Sequence, residues 1–149
     1  MSMDAGDCYE IVRDAVLSAA VTETTEDDVL WHYVGVPDQL EPNARDRAFM
    51  LEPAGPVVEE LDRQGCNEKI VSLDLLVAYT TGNPECRQLA LRDSHAITDA
   101  LTSLWSSGSP IAGGHAGPIT EIHVEGIAPD YLEAWLLMRW SIRATYMES

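Results

Sequence analysis

The chain has 149 residues, 46% of them apolar, and 25 Asp plus Glu against 9 Lys plus Arg, a net charge of −16. That length suits one domain spanning residues 1–149, and no disulfide or metal is needed to hold a core of that size together. The charge excludes a basic patch that would grip nucleic-acid phosphates, and no apolar run reaches the roughly 18 residues of a membrane span. The acids are spread along the chain rather than gathered in a tail, and Lys69 is the one lysine. A lysine-poor, acid-rich surface fits adaptation to high salt, where screening relieves self-repulsion; an acidic protein of ordinary salt is the other reading. The opening "MSMDAGDCYE" has neither the basic nor the apolar region of a secretory signal, so a soluble protein made in the cytoplasm is expected. Cys8, Cys66 and Cys86 show no CxxC spacing and read as reduced thiols, and the four histidines are scattered singly.

In chain order, Cys8, Ile11, Val12, Ala15, Val16 and Ala19 recur at helical spacing, predicting a helix from about Asp4 to Ala20, with Asp4 and Asp7 near its positive end. "VLWHYVGV" (29–36) is short, aromatic and β-branched, and is stopped by Pro37; it reads as a strand. "AFMLEP" (48–53) is a second strand, ended by the breakers of "PAGP". Residues Pro53 to Asn67 read as a long loop or a hairpin-like excursion. "EKIVSLDLLVAYT" (68–80) is a third strand, with Val71, Leu73, Leu75, Val77 and Tyr79 on its core face.

"GNPEC" places Asn83 as an N-cap and Pro84 at the first helical position. Behind it, Cys86, Leu89, Ala90, Ile97, Ala100, Leu101 and Leu104 form an apolar stripe, so a helix is expected from Pro84 to about Trp105. "SSGSPIAGGHAGP" (106–118) reads as a flexible loop. "ITEIHVEGI" (119–127) alternates as a strand, "APD" (128–130) turns the chain, and Tyr131 to Glu148 form the last strand. In that strand Leu136, Met138, Trp140, Ile142, Ala144 and Tyr146 share one face, while Leu137, Arg139, Ser141, Arg143 and Thr145 share the other. The order α-β-β-β-α-β-β predicts an α+β domain: a mostly antiparallel sheet of about five strands with both helices packed on one face.

Catalytic patterns are missing. There is no P-loop, GxGxxG, HExxH, GxSxG or EF-hand spacing. The adjacent acids Asp27–Asp28 and Glu59–Glu60 point apart on any regular element and read as solvated surface. His123 between Glu121 and Glu125 reads as an exposed histidine in an acidic setting. The chain is therefore read as no enzyme, with no cofactor and no metal.

The order and landmarks resemble the tail terminator (tail completion) family of long-tailed phages and archaeal tailed viruses. The match lies in "CYEIVRDAVLSAA", "RAFMLEP", "KIVSLDLLVAYTTGNPECRQLALRDSHAITDALTSLW" and "ITEIHVEGIAPDYLEAWLLMRWSIRATY"; "VLWHYVGVPDQLEPNARD" departs most. The resemblance covers most of the chain and rests on pattern and order, not on an invariant motif. It implies a structural virion protein of the tail neck: a ring, a hexamer in that family, that caps the tail tube and joins it to the head. Its implied partners are further copies of itself, the tail tube protein, a head-side connector protein, and viral DNA passing through the lumen without sequence-specific binding. Leu137, Arg139 and Arg143 are then candidate subunit contacts, where arginine is enriched; the other reading makes that face solvent, with the arginines offsetting Glu121 and Glu125. Glu59, Glu60 and Arg63 on the first long loop and His115 on the second are candidate partner contacts, the loops being mobile until assembly orders them. Two rival functions stand beside this one. They are another head–tail connector, adaptor or stopper, and a small halophilic ligand-binding or enzymatic domain with a pocket at residues 106–118.

Overall fold

The computed structural model describes residues 4–19, 31–34, 47–61, 67–82, 84–106, 110–111, 115–116, 119–132 and 135–147. Helix α1 spans Ala5–Leu17 and α2 spans Cys86–Ser106. The strands are β1 (His32–Tyr33), β2 (Ala48–Pro53), β3 (Val58–Leu61), β4 (Asn67–Thr80), β5 (Pro110–Ile111), β6 (His115–Ala116), β7 (Ile119–Leu132) and β8 (Trp135–Met147). The main sheet runs β1-β2-β4-β8-β7, with β3 also on β4, and β5 and β6 form a separate ribbon. Its body is the antiparallel set β2, β4, β8 and β7; β1 joins β2 in parallel. This is the α+β class expected from the element order.

The period-two pattern of the two central strands decides what lies inside. Val71, Leu73, Leu75, Val77 and Tyr79 of β4 are buried, as are Leu136, Met138, Trp140, Ile142, Ala144 and Tyr146 of β8. They share one core with Cys8, Val12, Ala15 and Val16 of α1 and with Cys86, Leu89, Ala90, Ile97 and Leu101 of α2, so both helices cover the same face. Trp140, the largest of these side chains, is fully buried. Burying such a side chain is worth about 3 kcal/mol, which is why the even face of β8 and not its odd face seeks the helices.

Helix α1 starts at a reciprocal cap. The Asp7 backbone N–H donates to Asp4 Oδ1 at 2.8 Å, and the Asp4 N–H donates to Asp7 Oδ2 at 2.9 Å. Two of the four orphan donors of the helix start are thereby satisfied. Helix α2 starts at Cys86, two residues after the expected Pro84; Glu85 still accepts from the Leu89 N–H at 3.0 Å. The expected N-cap Asn83 lies outside the described residues.

Three expectations are corrected and one left open is decided. Of the two readings of residues Pro53 to Asn67, the hairpin-like excursion holds: Val58–Leu61 pair with Ile70–Asn67, continuing beside β4 where β2 leaves off. The pairs Val58↔Ile70 and Leu61↔Asn67 give the excursion a hairpin form. Residues 106–118 include the two short strands β5 and β6, paired Ile111↔His115. "APD" does not turn the chain, because β7 runs through it, Pro129 opposite Met138. A proline is tolerated there because β7 lies at the end of the strand order and needs a donor on one side only. Finally, the odd face of β8 is not uniformly uncovered. Leu137 packs on a second cluster made by Val34, Ala48, Met50, Leu76 and Ala78, and Thr145 is buried. Of the first expected strand, His32–Tyr33 are paired; residues 29–30 and 35–36 lie outside the described residues.

Candidate subunit interface

The face of the sheet turned away from the helices is built by register. β4 and β8 pair over thirteen positions from Glu68↔Met147 to Thr80↔Trp135, so the outward residues of the two strands stand side by side. Leu76 lies opposite Arg139, Asp74 opposite Ser141, and Ser72 opposite Arg143. β2 adds Glu52 opposite Asp74, and β7 adds Glu125 opposite Ser141 and His123 opposite Arg143. One transverse row therefore reads Glu52, Asp74, Ser141, Glu125 across four strands. Like charges directly opposed, as at Glu52 and Asp74, cost a few tenths of a kcal/mol or more.

The sheet brings Leu137, Arg139 and Arg143 together on this face, as the alternation requires. Leu137 is partly buried, while Arg139, Ser141 and Arg143 are exposed. Arg143 Nη2 lies 3.4 Å from Glu125 Oε1, and His123 Nε2 lies 2.6 Å from Glu121 Oε1. Ser141 Oγ reaches Asp74 Oδ1 at 3.5 Å. These are open-surface pairs, so each adds little to the stability of one subunit. The arginine–acid offset is thus present within the chain at Arg143, while Leu137 sits at the edge of the second apolar cluster.

The other candidates belong to other parts of the chain. Glu59 and Glu60 lie in β3, opposite Lys69 and Glu68. His115 lies in β6, opposite Ile111. Arg63 lies outside the described residues.

A groove of about 490 Å³ lies between the end of α1 and α2, its lining including Ala15, Ala19, Arg92, His95, Ala96 and Ala100. His95 Nε2 and Asp99 Oδ2 are 3.3 Å apart there, but their side chains are 83% and 68% exposed. So open a pair has neither the burial nor the fixed geometry of an acid–base dyad. Among the described residues, no three His, Cys, Asp or Glu side chains converge as metal ligands.

A second polar feature was not read from the sequence. Arg47 is fully buried. Its Nε donates to Asp93 Oδ2 at 2.8 Å and its Nη2 to Oδ1 at 2.9 Å, while Tyr79 OH donates to the same Oδ2 at 2.9 Å. The guanidinium also faces the Trp31 ring at 5.7 Å. Arg47 sits at φ 66, a left-handed conformation uncommon for a non-glycine residue. Its N–H donates to Ala78 O at 2.9 Å, tying this strained entry into β2 to the end of β4. The signal for this network was an acid on an apolar stripe: Asp93 falls four residues after Leu89 and four before Ile97. A buried carboxylate demands a partner, but nothing local says that the partner is 46 residues upstream. The network is structural: it clamps α2 to the sheet and offers no open position to a substrate.

No protein-family model matches this chain, and no curated protein matches it.

Proposed function

We propose that this chain is a ring-forming structural subunit of a tailed virus, of the kind that ends and caps a tail tube and joins it to the head. The observation that carries the proposal is the exposed polar middle of the sheet face turned away from the helices. Both helices cover one face of the sheet. The other face presents Arg139, Ser141 and Arg143 among Glu52, Asp74 and Glu125 on long, fully paired strands. At about 3.3 Å per residue the thirteen residues of β8 span roughly 43 Å, a stiff platform for a neighbouring protein. Such a platform does not need a catalytic cleft, and the work proposed for it is assembly alone. The succession of the two helices and the main strands, α1, β1, β2, β4, α2, β7 and β8, resembles that of the tail terminator family and supports the same reading. Its partners are then further copies of the chain, the tube protein on one side and a neck protein on the head side, with viral DNA threading the lumen. An adaptor or stopper at the same neck is the nearest rival.

Two measurements test this. Light scattering of the purified protein in molar salt is expected to give a multiple of the subunit mass, with six as the expected number; a monomer at high concentration sinks the ring. Electron microscopy of particles made without this protein separates the neck roles. Loss of a cap lets tubes overgrow, whereas loss of an adaptor or stopper leaves tails of normal length beside unjoined heads.

A further inference from the structure

The backbone hydrogen bonds of the main sheet decide which peptide groups face its open edges. In an antiparallel ladder the N–H and C=O of one residue point to the same side, and successive residues alternate. The Ala54 N–H donates to Ser72 O at 2.8 Å, and the Val34 N–H donates to Phe49 O at 2.7 Å. The peptide groups of Phe49, Leu51 and Pro53 therefore point away from β4, to the outer side of β2. There the Tyr9 hydroxyl donates to Leu51 O at 2.6 Å, and Pro53, the last residue of β2, has no N–H. The alternation carries across the sheet. Ser72 bonds toward β2, so the peptide groups of Leu73 and Leu75 bond toward β8, where Ile142 and Trp140 meet them. Those of Arg139, Ser141 and Arg143 then bond toward β7, to Ala128, Glu125 and His123. Ile122, Val124, Ile127, Pro129 and Tyr131 are left with their peptide groups on the outer side of β7. Pro53 and Pro129, the two prolines in the strands of the main sheet, thus both place the missing donor on an outer edge, where no ladder bond is lost.

β7 is broken in a second way. From Ile119 to Glu121, and again from Glu125 to Ile127, two steps of β7 match one step of β8. Thr120 and Gly126 are the extra residues of two bulges. Between them the outer side of β7 offers the N–H groups of Ile122 and Val124; beyond Gly126 it offers Ile127, then the gap at Pro129. Elsewhere, β1 has two residues and β3 has four. Strands ordinarily pair over about five or six residues. We propose that Pro53, Pro129 and the bulges at Thr120 and Gly126 form an edge guard, which bars a second copy of the chain from adding a strand to either end of the sheet. Unbroken, the fourteen residues of β7 would present a template roughly 46 Å long. A net charge of −16 holds copies apart at low salt. At about 1 M salt the Debye length falls to about 3 Å, and protection then has to lie in the backbone. The guard does not depend on the ring reading. It serves a monomer as well, and in a ring it leaves the contacts to faces and loops.

The test removes the guard from β7. One variant lacks Thr120 and Gly126 and carries Pro129→Val; by the register, every other residue of β7 keeps its present partner on β8. Wild type and variant are incubated in molar salt, each at the same interval below its own melting temperature, with circular dichroism confirming the fold. Sedimentation and thioflavin T fluorescence are followed. The variant is expected to lose soluble protein and gain fluorescence while the wild type does neither. A folded variant that stays as dispersed and as dark as the wild type overturns the proposal. If the triple change does not fold, the Gly126 deletion and Pro129→Val are measured singly, and amide hydrogen exchange of the wild type decides. The amides of Ile122, Val124, Ile127 and Tyr131 are expected to exchange equally fast in dilute and concentrated protein. Slowing at these amides on concentration, with those facing β8 unchanged, means that a strand has been added, and the guard is refuted.

Discussion

Arg47 and Asp93 are each about as buried as the leucines beside them, and that sets what their loss does. Removing one partner of a buried pair leaves an uncompensated charge, which costs about 3–5 kcal/mol. Asp93→Ala is therefore expected to destabilise the fold by that amount in denaturant melts. Tyr79→Phe, which removes one hydrogen bond to a charged acceptor, is expected to lose about 1.5–3 kcal/mol. A Tyr79→Phe loss equal to that of Asp93→Ala would show that the ion pair itself contributes little. Cys8 makes a second residue-scale prediction. Burial pushes its thiol up from 9.0 to about 12. Between those values the unfolded chain has released this proton and the folded chain keeps it, so the folded state binds more protons. Stability from this group is whole below pH 9.0 and is lost as pH rises toward about 12. Replacing Cys8 by Ala is expected to flatten the alkaline fall in stability by about one proton over that window; an unchanged slope would contradict the burial. Burial also raises Tyr9, helped by its hydrogen bond with Tyr33, so part of the alkaline fall survives the replacement.

At the scale of elements, Asp4 and Asp7 were legible only as acids near the positive end of α1, and the structure shows that they form its cap. Each side chain accepts the other's backbone N–H. Asp4→Ala is expected to cost about 1 kcal/mol, a fall of roughly 2–4 °C in the melting temperature for a domain this size. The measurement belongs in high salt, because removing one acid also relieves repulsion at low salt and masks the lost cap. The strands β4 and β8 were legible because one face of each is wholly apolar and period two has no other reading. The ends were less so: β7 continues through Pro129 because an edge position forgives a missing donor, and a proline read alone signals a turn. β3 was ambiguous because "VVEEL" lacks alternation; its pairing comes from lying beside Asn67–Ile70 of β4.

For the molecule as a whole, a net charge of −16 dominates. The acids of the outward sheet face repel one another through water, where screening acts. Melting temperature is expected to rise as KCl goes from about 0.1 M, with a Debye length of about 10 Å, to about 1 M, with about 3 Å. A flat or falling temperature would remove the reading of adaptation to high salt. The same experiment bears on assembly, since repulsion between like subunits is relieved over the same range.

Much of this was settled by the chain alone. The class of fold, the two helices and the inward face of β8 follow from periodicity, because burying one apolar stripe is the largest favourable term open to each element. The outward placement of Arg139 and Arg143 follows from the same alternation. Tertiary structure decided the rest, because it depends on which strand lies beside which. Glu52, Asp74 and Glu125 are separated by 22 and 51 positions in the chain, and only the register of β2, β4, β8 and β7 makes them one row. The same is true of Arg47 and Asp93. Each is an ordinary charged residue in the sequence, and long-range packing alone places a guanidinium and a carboxylate together in the one environment where neither can be left unpaired.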